Sequence, residues 1–143
     1  MSGIQFGEFN VSPSEVFYTS QYSLGLVNLK PIADGHVLVM PKRVVLRYSD
    51  LTLVEITDLT NAASRISKVL EQVYPHMRNG FIWLIQDGKE AGQTVPHVHL
   101  HIIPKRFSEW SQHGIEDVNR VPRTLHDMKL EAKHLESMLR QNI

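Results

Sequence analysis

The sequence predicts an α+β domain built on a mostly antiparallel sheet, with one long central helix and a second helix near the C-terminal end. Three observations carry this. Short β-like runs divided by turn residues fill the first third, and a long apolar stripe at helical spacing follows. Strand character then returns before a final helical stripe.

The early runs are Glu15–Thr19, Tyr22–Leu29 and His36–Met40, broken by Ser12-Pro13, Ser20 and the Lys30-Pro31…Asp34-Gly35 stretch. Asp34-Gly35 is a turn signal, so His36 opens a strand. The period then lengthens: Ile56, Leu59, Ala63, Ile66, Leu70 and Val73 line one face of a helix over 53–74. Thr52 with Glu55 forms a capping box at its start, and Pro75 stops it after Tyr74. Gly80–Gln86 reads as a strand closed by Asp87-Gly88. A loop of roughly eight residues leads on to the strand that follows, an antiparallel pair with a connection longer than a plain hairpin needs. Long connections beside polar clusters often carry function. Residues 107–123 are polar and irregular, a flexible surface loop. A last helix over 124–141 places Leu125, Met128, Ala132, Leu135 and Leu139 on one stripe, with Thr124 and Asp127 as a weaker capping pair.

With 143 residues, the chain suits a single domain over 1–143 whose core spans about 4–106. Fifteen Lys plus Arg balance fifteen Asp plus Glu. That balance argues against duplex nucleic acid as the main ligand, though a few aimed donors can still hold a small anion. The absence of cysteine removes disulfides and thiolate chemistry and fits a reducing compartment. No secretory start and no membrane-length apolar run is visible, so a soluble cytoplasmic protein is expected, with the nucleus also open.

The chemistry is concentrated between Pro96 and Pro104, where His97, His99 and His101 alternate with Val98, Leu100 and Ile102. On a strand, alternate side chains share a face. The aliphatic face packs on a core, whereas a row of imidazoles needs polar partners. Three readings compete. A metal site is one, but residues two apart on a strand are about 6.6 Å apart and residues four apart about 13 Å. Zinc needs nitrogens at about 2.0–2.1 Å, so three histidines of a straight strand cannot share an ion without a further ligand such as His36. A half-exposed polar strand is the second reading, although Glu, Lys, Thr or Gln would serve equally well there. Nucleophilic catalysis is the third: neutral imidazole attacks well near neutral pH when its other nitrogen is protonated and held. The central His99 would then attack phosphorus, flanked by His97 and His101.

The string His97-Val98-His99-Leu100-His101-Ile102-Ile103 resembles the signature of the histidine triad family. Gln86-Asp87-Gly88-Lys89-Glu90-Ala91-Gly92-Gln93-Thr94-Val95 is similar to its fragile histidine triad branch. So are Phe6-Gly7, Leu26-Val27-Asn28-Leu29-Lys30-Pro31 and Gly35-His36-Val37-Leu38-Val39. The resemblance covers about residues 4–106 and implies the family's fold, a homodimer, and hydrolysis of dinucleoside polyphosphates, typically diadenosine triphosphate to AMP and ADP. It implies that His99 forms a nucleotidyl intermediate, that His101 bonds the phosphate and leaving-group region, and that His97 and His36 support the triad. It assigns Asn28 to ribose, Gln86, Gly92, Gln93, Thr94 and Val95 to phosphate, and Phe6 to adenine. Each also has a plain reading, as a turn residue for Asn28 and Gln86 and as a core residue for Phe6 and His36.

Glu8-Phe9 stands where better-known relatives carry Gln-His, and the 107–123 loop has Trp110 but no tyrosine. Only Lys89 is cationic between Arg78 and Lys105. Phosphoryl charge is therefore expected to fall on imidazoles, backbone N–H groups and Mg²⁺ or Mn²⁺ accompanying the substrate, with no tightly bound cofactor and no metal held by the protein. Related readings are a nucleoside phosphoramidase of the same family and a dinucleotide-binding signalling protein with slow turnover.

Overall fold

The computed structural model describes residues 3–105 and 120–141. The chain opens with a hairpin, β1 (Ile4–Phe6) against β2 (Phe9–Val11), followed by β3 (Val16–Thr19), β4 (Ser23–Val27) and β5 (Val37–Pro41). Helix α1 (Leu53–Val73), β6 (Ile82–Ile85), β7 (Leu100–Ile103) and α2 (Leu125–Gln141) complete it. Among the described residues five strands form one sheet in the order β3-β4-β5-β7-β6, every pairing antiparallel. The expected α+β architecture, with one long central and one C-terminal helix, is therefore present. The opening hairpin is an addition: its strands are three residues each, too short for alternation to register. The loop expected over 107–123 lies outside the described residues up to 119.

Helix α1 starts as its sequence dictates. The Thr52 hydroxyl accepts from the Glu55 N–H and the Glu55 carboxylate accepts from the Thr52 N–H. Leu59, Ala63, Ile66 and Leu70 of the stripe are buried, with Ile56 and Val73 packed at its margins. On α2, Met128, Ala132 and Leu135 are buried against the same core, while Leu125 remains exposed at the first turn. The Asp127 N–H donates to the Thr124 hydroxyl, so that cap forms as well. Among the described residues no helix is long and apolar enough to cross a membrane.

The two helices cover one sheet face, packing on Val27, Val37, Val39, Val98, Leu100 and Ile102. The opposite face carries Leu24, Leu26, Leu38 and Met40, overlaid by Ile4, Phe6 and Val11 of the opening hairpin. The sheet is thus buried on both sides at its centre, which is why β4 and β5 are buried at every residue. Beyond β5 the chain is pinned to α1 by Arg43, whose guanidinium makes two hydrogen bonds to the buried Glu55 carboxylate at 2.7 and 3.0 Å.

That pairing, with the Thr52 N–H, holds the Glu55 carboxyl down at about 2 from an ordinary 4.5. A depressed carboxylate contributes stability above its unfolded value and loses it as pH falls through the folded one. Glu55→Gln is therefore expected to destabilise the fold at pH 7 by about 1 kcal/mol, Arg43 being half exposed. It should also flatten the loss of stability between about pH 4.5 and 2, as urea midpoints across that range would show.

Candidate active site

The histidine segment is only partly a strand. Pairing of β7 with β5 begins at Leu100↔Val39, so His101 lies in the ladder, His99 just before it, and His97 in a bend. The departure from one continuous strand has a local cause. The Val98 N–H donates to the Val45 carbonyl (2.7 Å) and the His97 N–H to the Val95 carbonyl (2.8 Å), drawing this stretch away from β5. Alternation still sorts the residues. Val98, Leu100 and Ile102 enter the core beneath the helices, and His101 stands on the opposite face beside Leu38 and Leu84. All three histidines and His36 are buried, at 0 to 7% exposure, which a half-exposed polar strand would not be.

Burying an imidazole requires that its nitrogens find partners, and those partners dictate where each proton sits. The Gly7 N–H donates to His97 Nδ1 (3.0 Å), so His97 carries its proton on Nε2 and donates it to the Pro41 carbonyl (2.8 Å). His99 donates from Nδ1 to the His97 carbonyl (2.7 Å), leaving the Nε2 lone pair. The Ile32 N–H donates to His36 Nδ1 (3.0 Å), so His36 donates from Nε2 to His101 Nδ1 (3.0 Å). His101 must then be protonated on Nε2, and that buried N–H has no partner among the described residues. The ring of His99 lies 4.9 Å from that of His101 and 5.1 Å, edge on, from Phe6. The result is a free lone pair beside an unmet donor. A phosphoryl group placed there can be attacked from one side and hydrogen-bonded from the other.

All four imidazoles are held below their ordinary 6.5 primarily by burial, which disfavours the cation. The positive charges of Arg120 and Arg123 add to this at His36, and that of Arg120 at His101. These arginines supply positive charge that the stretch between Arg78 and Lys105 does not, and the chain brings them in from its far end. Arg120 donates to the Lys30 carbonyl (3.1 Å) and Arg123 to that of Asn28.

The other sequence-selected residues divide into two groups. Phe6 is half-buried and lays its ring against His97 and His99. Asn28 accepts from the Lys30 N–H through Oδ1, and its amide nitrogen is 3.2 Å from both ring nitrogens of His36, a position over the ring face. The second group holds the long connection in shape. Gln86 donates to the Ala91 carbonyl, while Gln93 accepts from Gly88 N–H and donates to the Leu46 carbonyl. Gly92 adopts φ 86°, a left-handed conformation that favours glycine. Thr94 is exposed, and Val95 packs against Gly7.

Gly7 itself escaped selection as a site residue, although it stands in the Phe6-Gly7 pair. Its φ is 59°, and a Cβ there would lie 2.7 Å from the Val95 side chain. Only glycine lets the backbone N–H come this close to His97. The Pro41 carbonyl and Ile32 N–H carry no side-chain signal that could have marked them.

At pH 7, ¹⁵N imidazole spectra should show His99 as the Nδ1–H tautomer and His36, His97 and His101 as Nε2–H. Because burial depresses these groups, they contribute stability above about pH 6.5 and withdraw it as pH falls below. A melting temperature that stays level from pH 7 to 5 would contradict this.

The HIT domain matches residues 10–108. Bis(5'-adenosyl)-triphosphatase of Dictyostelium discoideum is 42% identical over 146 positions, covering 99% of this chain and 97% of that protein. The asymmetrical bis(5'-nucleosyl)-tetraphosphatase of Schizosaccharomyces pombe is 46% identical over 112 positions, 78% of this chain and 60% of that one. The crystal structure of Plasmodium falciparum diadenosine triphosphate hydrolase in complex with Cyclomarin A superposes with a TM-score of 0.80 at 34% identity, covering 96% of this chain and 84% of that one. The matched span contains His36 and the whole triplet His97, His99 and His101, and the chain belongs to the HIT, or histidine triad, family.

Proposed function

We propose that the protein hydrolyses dinucleoside polyphosphates, diadenosine triphosphate to AMP and ADP, through a nucleotidyl group carried on His99. One observation supports this above the rest. Among the four buried imidazoles, His99 Nε2 is the nitrogen that is neither protonated nor hydrogen-bonded to a described residue. The names of the similar proteins, a diadenosine triphosphate hydrolase among them, agree with the reading.

The His99 Nε2 lone pair attacks the α-phosphorus, and the bridging oxygen departs with its electron pair as ADP. The new imidazolium keeps its Nδ1–H on the His97 carbonyl, which stabilises the positive charge as it forms. The His101 Nε2–H donates to a phosphoryl oxygen, and it costs no reorganisation because His36 already orients that ring. Water then attacks the same phosphorus, the P–N bond breaks, and His99 returns neutral with AMP released. Asn28 takes the ribose hydroxyls, Phe6 the adenine, and the loop of Gln86 and Gly92 to Val95 the phosphates. Mg²⁺ or Mn²⁺ travels with the polyphosphate as part of the substrate. The edge of β6, unpaired among the described residues, and the exposed Val44, Leu46, Leu53 and Val54 favour a second copy alongside, in the cytoplasmic homodimer expected of the branch.

His99→Asn is expected to keep the fold and lose at least about 10⁴-fold in turnover, the scale for a missing nucleophile. Removing the donor with His101→Phe should reduce kcat by about 10²–10³. Acid-labile, base-stable label from α-³²P substrate should be trapped on the wild type and be absent from His99→Asn. Wild-type turnover by that variant, or much faster cleavage of an adenosine phosphoramidate, would overturn the reading. Because the free base attacks, kcat/KM should fall on the acid side only below the ordinary imidazole value of 6.5.

A further inference from the structure

Strand β4 pairs with β5 as far as Val27↔Val37, so the Asn28 carbonyl lies past the end of the ladder and must find another partner. It finds Arg123, which donates from Nη2 at 2.7 Å and from Nε at 3.1 Å. The Arg123 backbone N–H donates to the next carbonyl, that of Leu29, at 2.8 Å. Behind the guanidinium, Glu131 of α2 accepts from Arg123 Nη2 (2.8 Å) through one oxygen and from the Tyr74 hydroxyl (2.7 Å) through the other. The Arg123 and Glu131 side chains are largely buried, at 24% and 11% exposure.

The line then closes on itself. Tyr74 packs its ring on Gly35, where a Cβ would lie 2.9 Å from Cδ2, and Gly35 at φ 91° turns the chain directly into His36. Tyr74, Glu131 and Arg123 therefore brace both members of the Asn28–His36 contact from outside the reacting atoms. A planar guanidinium placing two N–H groups on one carbonyl fixes that peptide in a way a lysine ammonium does not.

We propose that Arg123 is a positioning residue for nucleotide binding: by holding the Asn28 peptide it aims the Asn28 side chain at the ribose. This rests on the reading of Asn28 as the ribose contact.

The test compares diadenosine triphosphate with its 2′,3′-dideoxy analogue on wild type, Asn28→Ala, Arg123→Met, Arg123→Lys and the double variant Asn28→Ala/Arg123→Met, with melting curves alongside. Arg123→Met is expected to raise KM for the ribose substrate about tenfold, the scale of one lost charge-assisted hydrogen bond, while kcat and the dideoxy KM change little. The double variant should lose no more than Asn28→Ala alone, since coupled residues are non-additive. Arg123→Lys keeps the charge toward Glu131 and should still lose ribose preference; it serves equally if Arg123→Met fails to fold. Equal losses on both substrates, additivity with Asn28→Ala, or an intact ribose preference in the arginine variants would overturn the proposal alone. If Asn28→Ala itself keeps the ribose preference, the ribose reading falls and takes the proposal with it.

Discussion

A 2.7 Å hydrogen bond from His99 Nδ1 to the His97 carbonyl is the interaction on which the site depends. It leaves His99 with an accessible lone pair on Nε2, and it ties that choice to the backbone two residues upstream. The constraint behind it is desolvation. An imidazole buried to 7% exposure is cheaper neutral than charged, and a neutral imidazole has one donor and one acceptor to satisfy. His97 and His36 meet both demands inside the protein. His99 and His101 each keep one nitrogen unmet among the described residues, an acceptor on one ring and a donor on the next.

The scaffold serves this arrangement at several removes. The opening hairpin covers the histidine face and delivers the Gly7 N–H, so its three-residue strands matter more than their size suggests. The end of β5 provides the Pro41 carbonyl and the segment after it the Val45 carbonyl, and Arg43 with Glu55 anchors that segment to α1. The far end of the chain contributes Arg120 and Arg123, which place positive charge beside His36 without entering the row of imidazoles. Their field disfavours a cation on His36, and that of Arg120 also on His101, while at His99 itself it is chiefly burial that favours the neutral ring needed for attack.

Much of the architecture was legible locally. The α1 stripe with its Thr52–Glu55 capping box, the α2 stripe from Met128 onward, and the runs that became β3, β4, β5 and β6 are set by short-range periodicity and turn chemistry. The histidine string was legible as a site for the same reason, since alternation placed polar rings opposite a core-forming face. One reading needed correction: the string is a strand only from Leu100. The side-chain amides of Gln86 and Gln93 also hold the shape of the connection that carries them, and Gln93 ties it to Leu46.

The amino-acid order by itself determined which residues are chemically special: four imidazoles, a glycine-bearing loop, an asparagine at a strand end. These depend on side-chain type and near-neighbour spacing. Only the tertiary structure decided which nitrogen of which ring is free. That choice is made by the Gly7 and Ile32 N–H groups and the Pro41 and His97 carbonyls, and backbone groups of this kind are much the same in every residue. Their identity carries no signal until the fold brings a chain position to within hydrogen-bond distance, as with Gly7 and His97, 90 residues apart. The same holds for Arg123, whose contact with Asn28 spans 95 residues and exists only once α2 has docked.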